Sequence, residues 1–329
     1  MGLTQIGDFF DEQINLQLLP NDDLVEFVQC VVCKTGFDFK FFNARSQCVE
    51  GVFCWCGIHG AIVQDKINAM CQLLGMNSHL PASVNMSFTG FSQRGGATDH
   101  HGDGWGIAFF EGEGANPGKG VRCFIDKESA ATSAIAQLLK TYPIKSHNVV
   151  AHVRKATVGD VSLENSHPFV RELWGRNWVF AHNGDLKDYA PRLHGNFKPV
   201  GSTDSELAFC WLMQELAKSH ASAPSVEELT LTLRELTPQI AKFGTFNFIL
   251  SNGQALWAHA STKLHYLQRS FPFCEIHLKD EDLRVDLAEL NGPEDRFVII
   301  VTEPLTSNEA WTAFASGELK VFVDGFLVS

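Results

Sequence analysis

From residue 71 onward the chain breaks into short apolar runs separated by glycine turns and polar helix starts, while the residues before it hold no period for long. Residues 71–76 (CQLLGM) predict a strand, and Val84, Phe88 and Phe91 at helical spacing predict a short helix after it. Residues 102–106 then open a strand, IAFF. Residues 129–142 read as a helix with Ile135, Leu138 and Leu139 on one face, and residues 149–154 (VVAHVR) return as a strand. Another strand, WVFAHN, is expected to end at Asn183.

Helix starts and hairpins come next. Thr203 with Glu206 three residues on predicts a capping box, in which each side chain satisfies an otherwise unpaired amide, and the helix it opens runs to about Ala217. Ser225 with Glu228 repeats the device, and that helix carries Leu229, Leu233, Leu236 and Ile240 before stopping at Gly244. Asn252-Gly253 and Asp324-Gly325, each between apolar runs, predict type I′ hairpins. Helices grouped between runs of hairpin-linked strands favour an α+β fold of antiparallel sheets over a parallel doubly wound one.

Composition narrows the function classes. The 329 residues are 45% hydrophobic and 19% charged, enough for one large core or two modest ones, and the net charge of −12 argues against a phosphate-neutralising, nucleic-acid-binding surface. No apolar run approaches the roughly 20 residues of a membrane helix, and the first residues lack the basic and apolar regions of a secretion signal. The expectation is a cytoplasmic protein with neither membrane nor nucleic acid as partner. Five of the nine cysteines (Cys30, Cys33, Cys48, Cys54 and Cys56) precede Met70, which sets residues 1–69 apart as an extension and residues 71–329 as a single domain. Cys30, Cys33, Cys54, Cys56 and His59 offer ligand types for zinc, but the one-residue spacing of the second pair is irregular for such a site. No metal and no cofactor are expected.

Four polar features fall at proposed strand ends or a helix first turn, where scaffolds expose reactive groups: Cys71, Arg154, Asn183-Gly184 and Asp204. Each alone has a bland explanation, as a small buried residue, a surface ion pair, a turn and a helix-start charge respectively. Together, Met70-Cys71, AHVRKAT with Arg154 and Thr157, ENSHPF with Asn165 and His167, AHNG at 181–184 and TDSE at 203–206 resemble, in order and spacing, the class II glutamine amidotransferases. QRGG at 93, GDGWGIAF at 102 and ELWGRNW at 172 resemble the stand-alone YafJ-type branch of that family.

The resemblance implies a four-layer αββα sandwich of two antiparallel sheets, the N-terminal-nucleophile hydrolase type. It also implies that Cys71 attacks the side-chain amide of L-glutamine, with the Asn183 amide and the Gly184 N–H holding the oxyanion. An α-amine near pKa ~7.7 to 8.0 suits a thiol near ~8.5 as its base, with no histidine partner needed. By the same resemblance Arg154 clamps the substrate α-carboxylate in a fork and Asp204 accepts the α-ammonium. Thr157, Asn165 and His167 follow as supports of the pocket wall, for which strand-end hydrogen bonding is an equal reading. His152 and His182 are expected to be core or supporting imidazoles. His100 and His101, near Asp103, belong to a loop rather than a metal site, because adjacent strand side chains diverge.

Seventy residues precede Cys71, whereas the family's nucleophile has a free amine. A start assigned too far upstream, a removed propeptide and a silencing domain are the competing explanations, and Met70 directly before Cys71 favours the first. An acceptor site for ammonia is also lacking, which points to a separate acceptor subunit or plain release. The alternatives are an amidohydrolase of another γ-glutamyl compound, recognised through its glutamyl half, and a zinc-binding module with an inactive scaffold.

Overall fold

The structure, a computed structural model, describes residues 71–98, 102–111, 119–155 and 159–328. The cysteine cluster of residues 30–59, His100, His101 and Thr157 lie outside the described residues. In chain order the strands are β1 (Gln72–Ser83), β2 (Trp105–Glu111), β3 (Gly120–Asp126), β4 (Lys145–Val153), β5 (Phe169–Leu173), β6 (Arg176–Leu186), β7 (Gly244–Ser251) and β8 (Leu256–Ala260). They continue as β9 (His265–Ser270), β10 (Glu275–His277), β11 (Arg284–Asp286), β12 (Arg296–Val301), β13 (Thr312–Ala313), β14 (Glu318–Val323) and β15 (Phe326–Leu327). The helices are α1 (Asn85–Gln93), α2 (Ala134–Thr141), α3 (Asp204–Ser219) and α4 (Val226–Ala241).

Two antiparallel sheets dominate, one of seven strands in the order β13-β9-β12-β1-β4-β2-β3 and one of six in the order β15-β14-β8-β7-β6-β5. Because strand side chains alternate, each sheet feeds two layers. Leu73, Val150, Val179, Ala181, Ile249, Ala258, Val298 and Ile300 fill the layer between the sheets. Leu74, Met76, Ile107, Val149 and Ile299 face the other way, with Phe88 and Phe91 of α1 and Leu139 of α2. Trp178, Phe180, Phe246 and Phe248 meet Phe209 and Leu212 of α3 and Leu229, Leu233 and Ile240 of α4. The fold is therefore α+β, with helices on the outer faces of two stacked antiparallel sheets.

Several expectations are corrected. β1 runs to Ser83 rather than stopping at Met76; its register shifts between Asn77 and Ala82, so the apolar alternation fades while pairing to β4 continues. The helix expected over 129–142 is only α2, capped by Ser133, and it buries Ala136 and Leu139 while Ile135 and Leu138 stay exposed. Thr203 does cap α3 through the Glu206 N–H, but the Glu206 carboxylate turns instead to the N–H groups of Val200 and Gly201 and to Arg171. Among the described residues, the full capping box exists only at Ser225 and Glu228. Asn252-Gly253 sits in a longer turn in which Asn252 Oδ1 accepts from the N–H groups of Gln254 and Ala255, whereas Asp324 and Gly325 both have the positive φ of a type I′ turn.

β6 does not end at Asn183. It pairs with β7 through Asn183↔Asn247, Gly184↔Phe246 and on to Leu186↔Gly244, so Asn183-Gly184 is extended strand and not a turn. A Cβ on Gly184 would stand 1.8 Å from the Thr245 carbonyl oxygen, and only glycine allows the two strands to meet there. Among the described residues, no helix is long and apolar enough to cross a membrane.

Two substitutions separate cap from core. Ser225→Ala should lower unfolding free energy by about 1 kcal/mol in urea titration, since the N–H of Glu228 loses its acceptor. Trp178→Ala, which removes a fully buried ring stacked 5.9 Å from Trp257, should cost about 3–5 kcal/mol in the same measurement.

Candidate active site

The two sheets bring several strand ends to one place. Cys71 immediately precedes β1, Arg154 follows the last residue of β4, Thr302 follows β12, and Asn183 lies near the end of β6 in the facing sheet. Asn183 shares its face with Ala181 and Val179, and Thr302 shares its face with Ile300 and Val298, so both point into the layer between the sheets. There the Asn183 amide Nδ2 donates to the Cys71 carbonyl oxygen at 2.5 Å and to Thr302 Oγ1 at 3.3 Å. Asn183 is itself held from behind, its own carbonyl accepting from Asn247 Nδ2 at 3.1 Å.

The Cys71 thiol lies 3.2 Å from both the N–H and the carbonyl of Lys155, donating to one and accepting from the other. Burial pushes this thiol up to about 11, against the lowering effects of the Lys155 N–H and the Arg154 charge. A thiol so placed is a poor nucleophile at neutral pH unless a base removes its proton locally.

Arg154 is buried, its guanidinium donating to the carbonyls of Asp160 at 2.9 Å and Gly159 at 3.1 Å. Asn165 ties this loop to the approach of α3: its Nδ2 donates to the Asp160 carbonyl and to Ser202 Oγ, and its Oδ1 accepts from the Ser202 N–H. Asp204, first residue of α3, accepts from the Leu186 N–H at 2.7 Å and so docks the helix onto the end of β6. Gly201 packs so closely beneath that a Cβ there would meet Asn165 Oδ1 at 2.3 Å.

Three imidazoles line the same cleft. His182 Nε2 donates to the Thr245 carbonyl at 3.0 Å, because a carbonyl only accepts, and Nδ1 is left to accept from the Ser205 hydroxyl at 2.8 Å. Burial lowers the His182 pKa, partly countered by Asp204. His167 packs 4.2 Å from His152 and 4.6 Å from Phe169 between ring centroids, and burial with the neighbouring His152 holds it well below the usual imidazole value. In both His167 and His182 burial thus favours the neutral imidazole.

Cys71, Arg154, Asn165, His167, Gly184 and Asp204 all line one cleft of about 20 Å³, room for little more than a water. The sequence-predicted residues that lie within the described part thus come together, Asn183 through its bond to the Cys71 carbonyl rather than as a residue lining the cleft. Lys155, Ser205 and Thr302 were not singled out by the sequence. Lys155 acts through its backbone, which leaves no side-chain signal, and Thr302 closes an apolar run (FVIIV) whose polar end is the only cue. Among the described residues, no group of three or more histidine, cysteine or acidic side chains is arranged to hold a metal ion.

Comparison with known proteins follows the same residues. The family described as Glutamine amidotransferases class-II matches residues 70–329. A Haemophilus influenzae protein whose name places it among the glutamine amidotransferases is 48% identical over 259 residues, covering 79% of this chain and 86% of its own. The Escherichia coli K12 protein YafJ, similarly named, is 46% identical over 257 residues, covering 78% of this chain and 98% of its own. A 2.0 Å crystal structure from Pseudomonas aeruginosa PA01, named to the same group, superposes with a TM-score of 0.63 at 41% identity over 79% of this chain and 100% of that one. A family match across residues 70–329 and relatives nearly half identical over most of their lengths lead to one conclusion: this chain belongs to the class II glutamine amidotransferases.

Proposed function

We propose that the protein hydrolyses the side-chain amide of L-glutamine through Cys71, by way of a γ-glutamyl thioester, in a form whose first residue is Cys71. The observation that carries this reading is the meeting of Cys71 and Asn183 from facing sheets, with Nδ2 2.5 Å from the cysteine's own carbonyl. In this reading the attacked carbonyl sits between Sγ and that donor. A substrate the size of glutamine must widen the present cleft of about 20 Å³ on entry.

The chemistry balances as follows. With Cys71 at the terminus, its α-amine takes the thiol proton, and sulfur attacks the amide carbon. The negative charge moves to the oxygen, which the Asn183 N–H and the Gly184 N–H stabilise. The amine returns the proton to the leaving nitrogen, the C–N bond breaks and ammonia departs. Water, deprotonated by the same amine, then attacks the thioester, releasing glutamate and restoring the thiol.

Arg154 reads the α-carboxylate and Asp204 the α-ammonium, while Asn165, His167 and Thr157 support the wall. The buried neutral imidazoles of His167 and His182 support the assignment of the base to the amine, since neither ring has to change charge. Residues 1–69 are then an extension absent from the active species. With Cys71 held in a peptide bond no amine is present, and a thiol near 11 leaves about one part in 10⁴ as thiolate at pH 7. The ammonia goes to a separate acceptor subunit or into solvent.

Four outcomes test the reading. A chain starting at Met70, with the methionine removed, should release glutamate from glutamine, and Cys71→Ala should abolish it; retained turnover in Cys71→Ala would assign the nucleophile elsewhere. Arg154→Lys should raise KM for glutamine at least about tenfold with a smaller change in kcat, because a point charge does not reproduce the fork. In the pH profile, activity should fall as pH drops through about 7.7–8, where the α-amine becomes protonated and stops accepting, and should level off above. In the full chain, by contrast, iodoacetamide alkylation of Cys71 should climb about tenfold per pH unit from 7 to 10, following a thiol that titrates near 11.

A further inference from the structure

An amide nitrogen has two hydrogens, and both of those on Asn183 Nδ2 are engaged: one by the Cys71 carbonyl at 2.5 Å, the other by Thr302 Oγ1 at 3.3 Å. An oxyanion forming at a carbonyl attacked by Cys71 needs one of them. The Thr302 contact is longer than an ordinary hydrogen bond of this type, so it is the one a charged acceptor displaces at least cost. Thr302 is 4% exposed and is fixed by its backbone, its N–H donating to the Leu73 carbonyl and its carbonyl accepting from His265 Nδ1. Its hydroxyl also accepts from the Leu73 N–H at 2.9 Å, two residues beyond the cysteine.

We infer that Thr302 is a positioning residue for the oxyanion donor: its hydroxyl parks the Asn183 N–H on the inter-sheet side, aimed but weakly held, until the oxyanion takes it. The inference rests on the glutaminase reading above and adds to it a residue that no motif marks. The hydroxyl oxygen offers two acceptor sites and both are used, one registering the strand that carries Cys71 and one registering the amide. One side chain thereby sets nucleophile and donor relative to each other across the two sheets. Arg154 and Asp204 reach the cleft from other elements and do not depend on Thr302.

The test compares Thr302→Val, nearly the same shape without the hydroxyl, with Thr302→Ser, which keeps it. Each is made in the chain that starts at Met70 and loses that methionine, and is read by glutamine turnover and by iodoacetamide alkylation of Cys71, a reaction that builds no oxyanion. Thr302→Val should lower kcat about tenfold, a part of the 10²- to 10³-fold attached to a whole donor, with KM within about twofold and alkylation at the wild-type rate. Thr302→Ser should return kcat to within about threefold of wild type. Should Thr302→Val not accumulate as folded protein, Thr302→Ala carries the same expectations.

An unchanged kcat in Thr302→Val overturns the inference. So does an equal fall of turnover and alkylation, which would place the effect on β1 and the thiol, and so does failure of Thr302→Ser to recover. A protein beginning at Cys71, otherwise unsubstituted, that is alkylated there yet releases no glutamate would instead refute the glutaminase reading, leaving the two failures distinct.

Discussion

One cross-sheet hydrogen bond organises the functional end of this molecule, the 2.5 Å contact from Asn183 Nδ2 to the Cys71 carbonyl. Its two partners come from different sheets and lie 112 residues apart in sequence, so it exists only if both sheets are stacked in the right register. That register is set by the apolar layer between them and by close approaches at glycines. Gly75 faces Ile249 across the layer, and a Cβ there would stand 3.0 Å from the Ile249 Cδ1. Gly184 abuts the Thr245 carbonyl so tightly that any larger residue would part β6 from β7 and move Asn183 with it. The polar contacts then finish what packing begins, with Asn247 gripping the Asn183 carbonyl and Thr302 meeting the amide.

The electrostatics of the cleft follow from the same burial. A thiol pushed to about 11 and imidazoles pushed down are two results of one cause, the cost of bringing a charge out of water. In such surroundings a histidine is a weak candidate for a base, because protonating it would bury a cation; a neutral imidazole is instead a rigid spacer with one donor and one acceptor. His182 is used in that way, bonded at both nitrogens between Thr245 and Ser205. In the proposed mechanism a terminal amine takes the proton instead, and its positive charge is paired with the thiolate of the same residue.

Much of this was legible in the sequence, and the exceptions have physical causes. The apolar alternation of β4, β6 and β7 and the Ser225–Glu228 cap could be read directly, because a buried face and a cap impose local patterns. β3 could not, since it is an edge strand with no fully buried side chain and no alternation to show. Asn183-Gly184 looked like a turn because Asn-Gly is common in turns, yet Gly184 is there for strand-to-strand closeness, which local sequence does not encode. Glu206 at the third helix position looked like a capping partner, but Arg171 and the Val200 and Gly201 amides draw its carboxylate away. Cys71, Arg154, Asn183 and Asp204 stood out through their motifs, whereas Thr302 and the Lys155 backbone emerge only when β12 and β4 end beside Cys71.

The central claim is that sulfur and base belong to one residue, and intact mass spectrometry of protein quenched in acid during glutamine turnover addresses it directly. The account predicts that the turning-over species begins at Cys71 and that a fraction of it carries one γ-glutamyl group. Full-length chain, with every residue before Cys71 retained, hydrolysing glutamine at the same rate would contradict it.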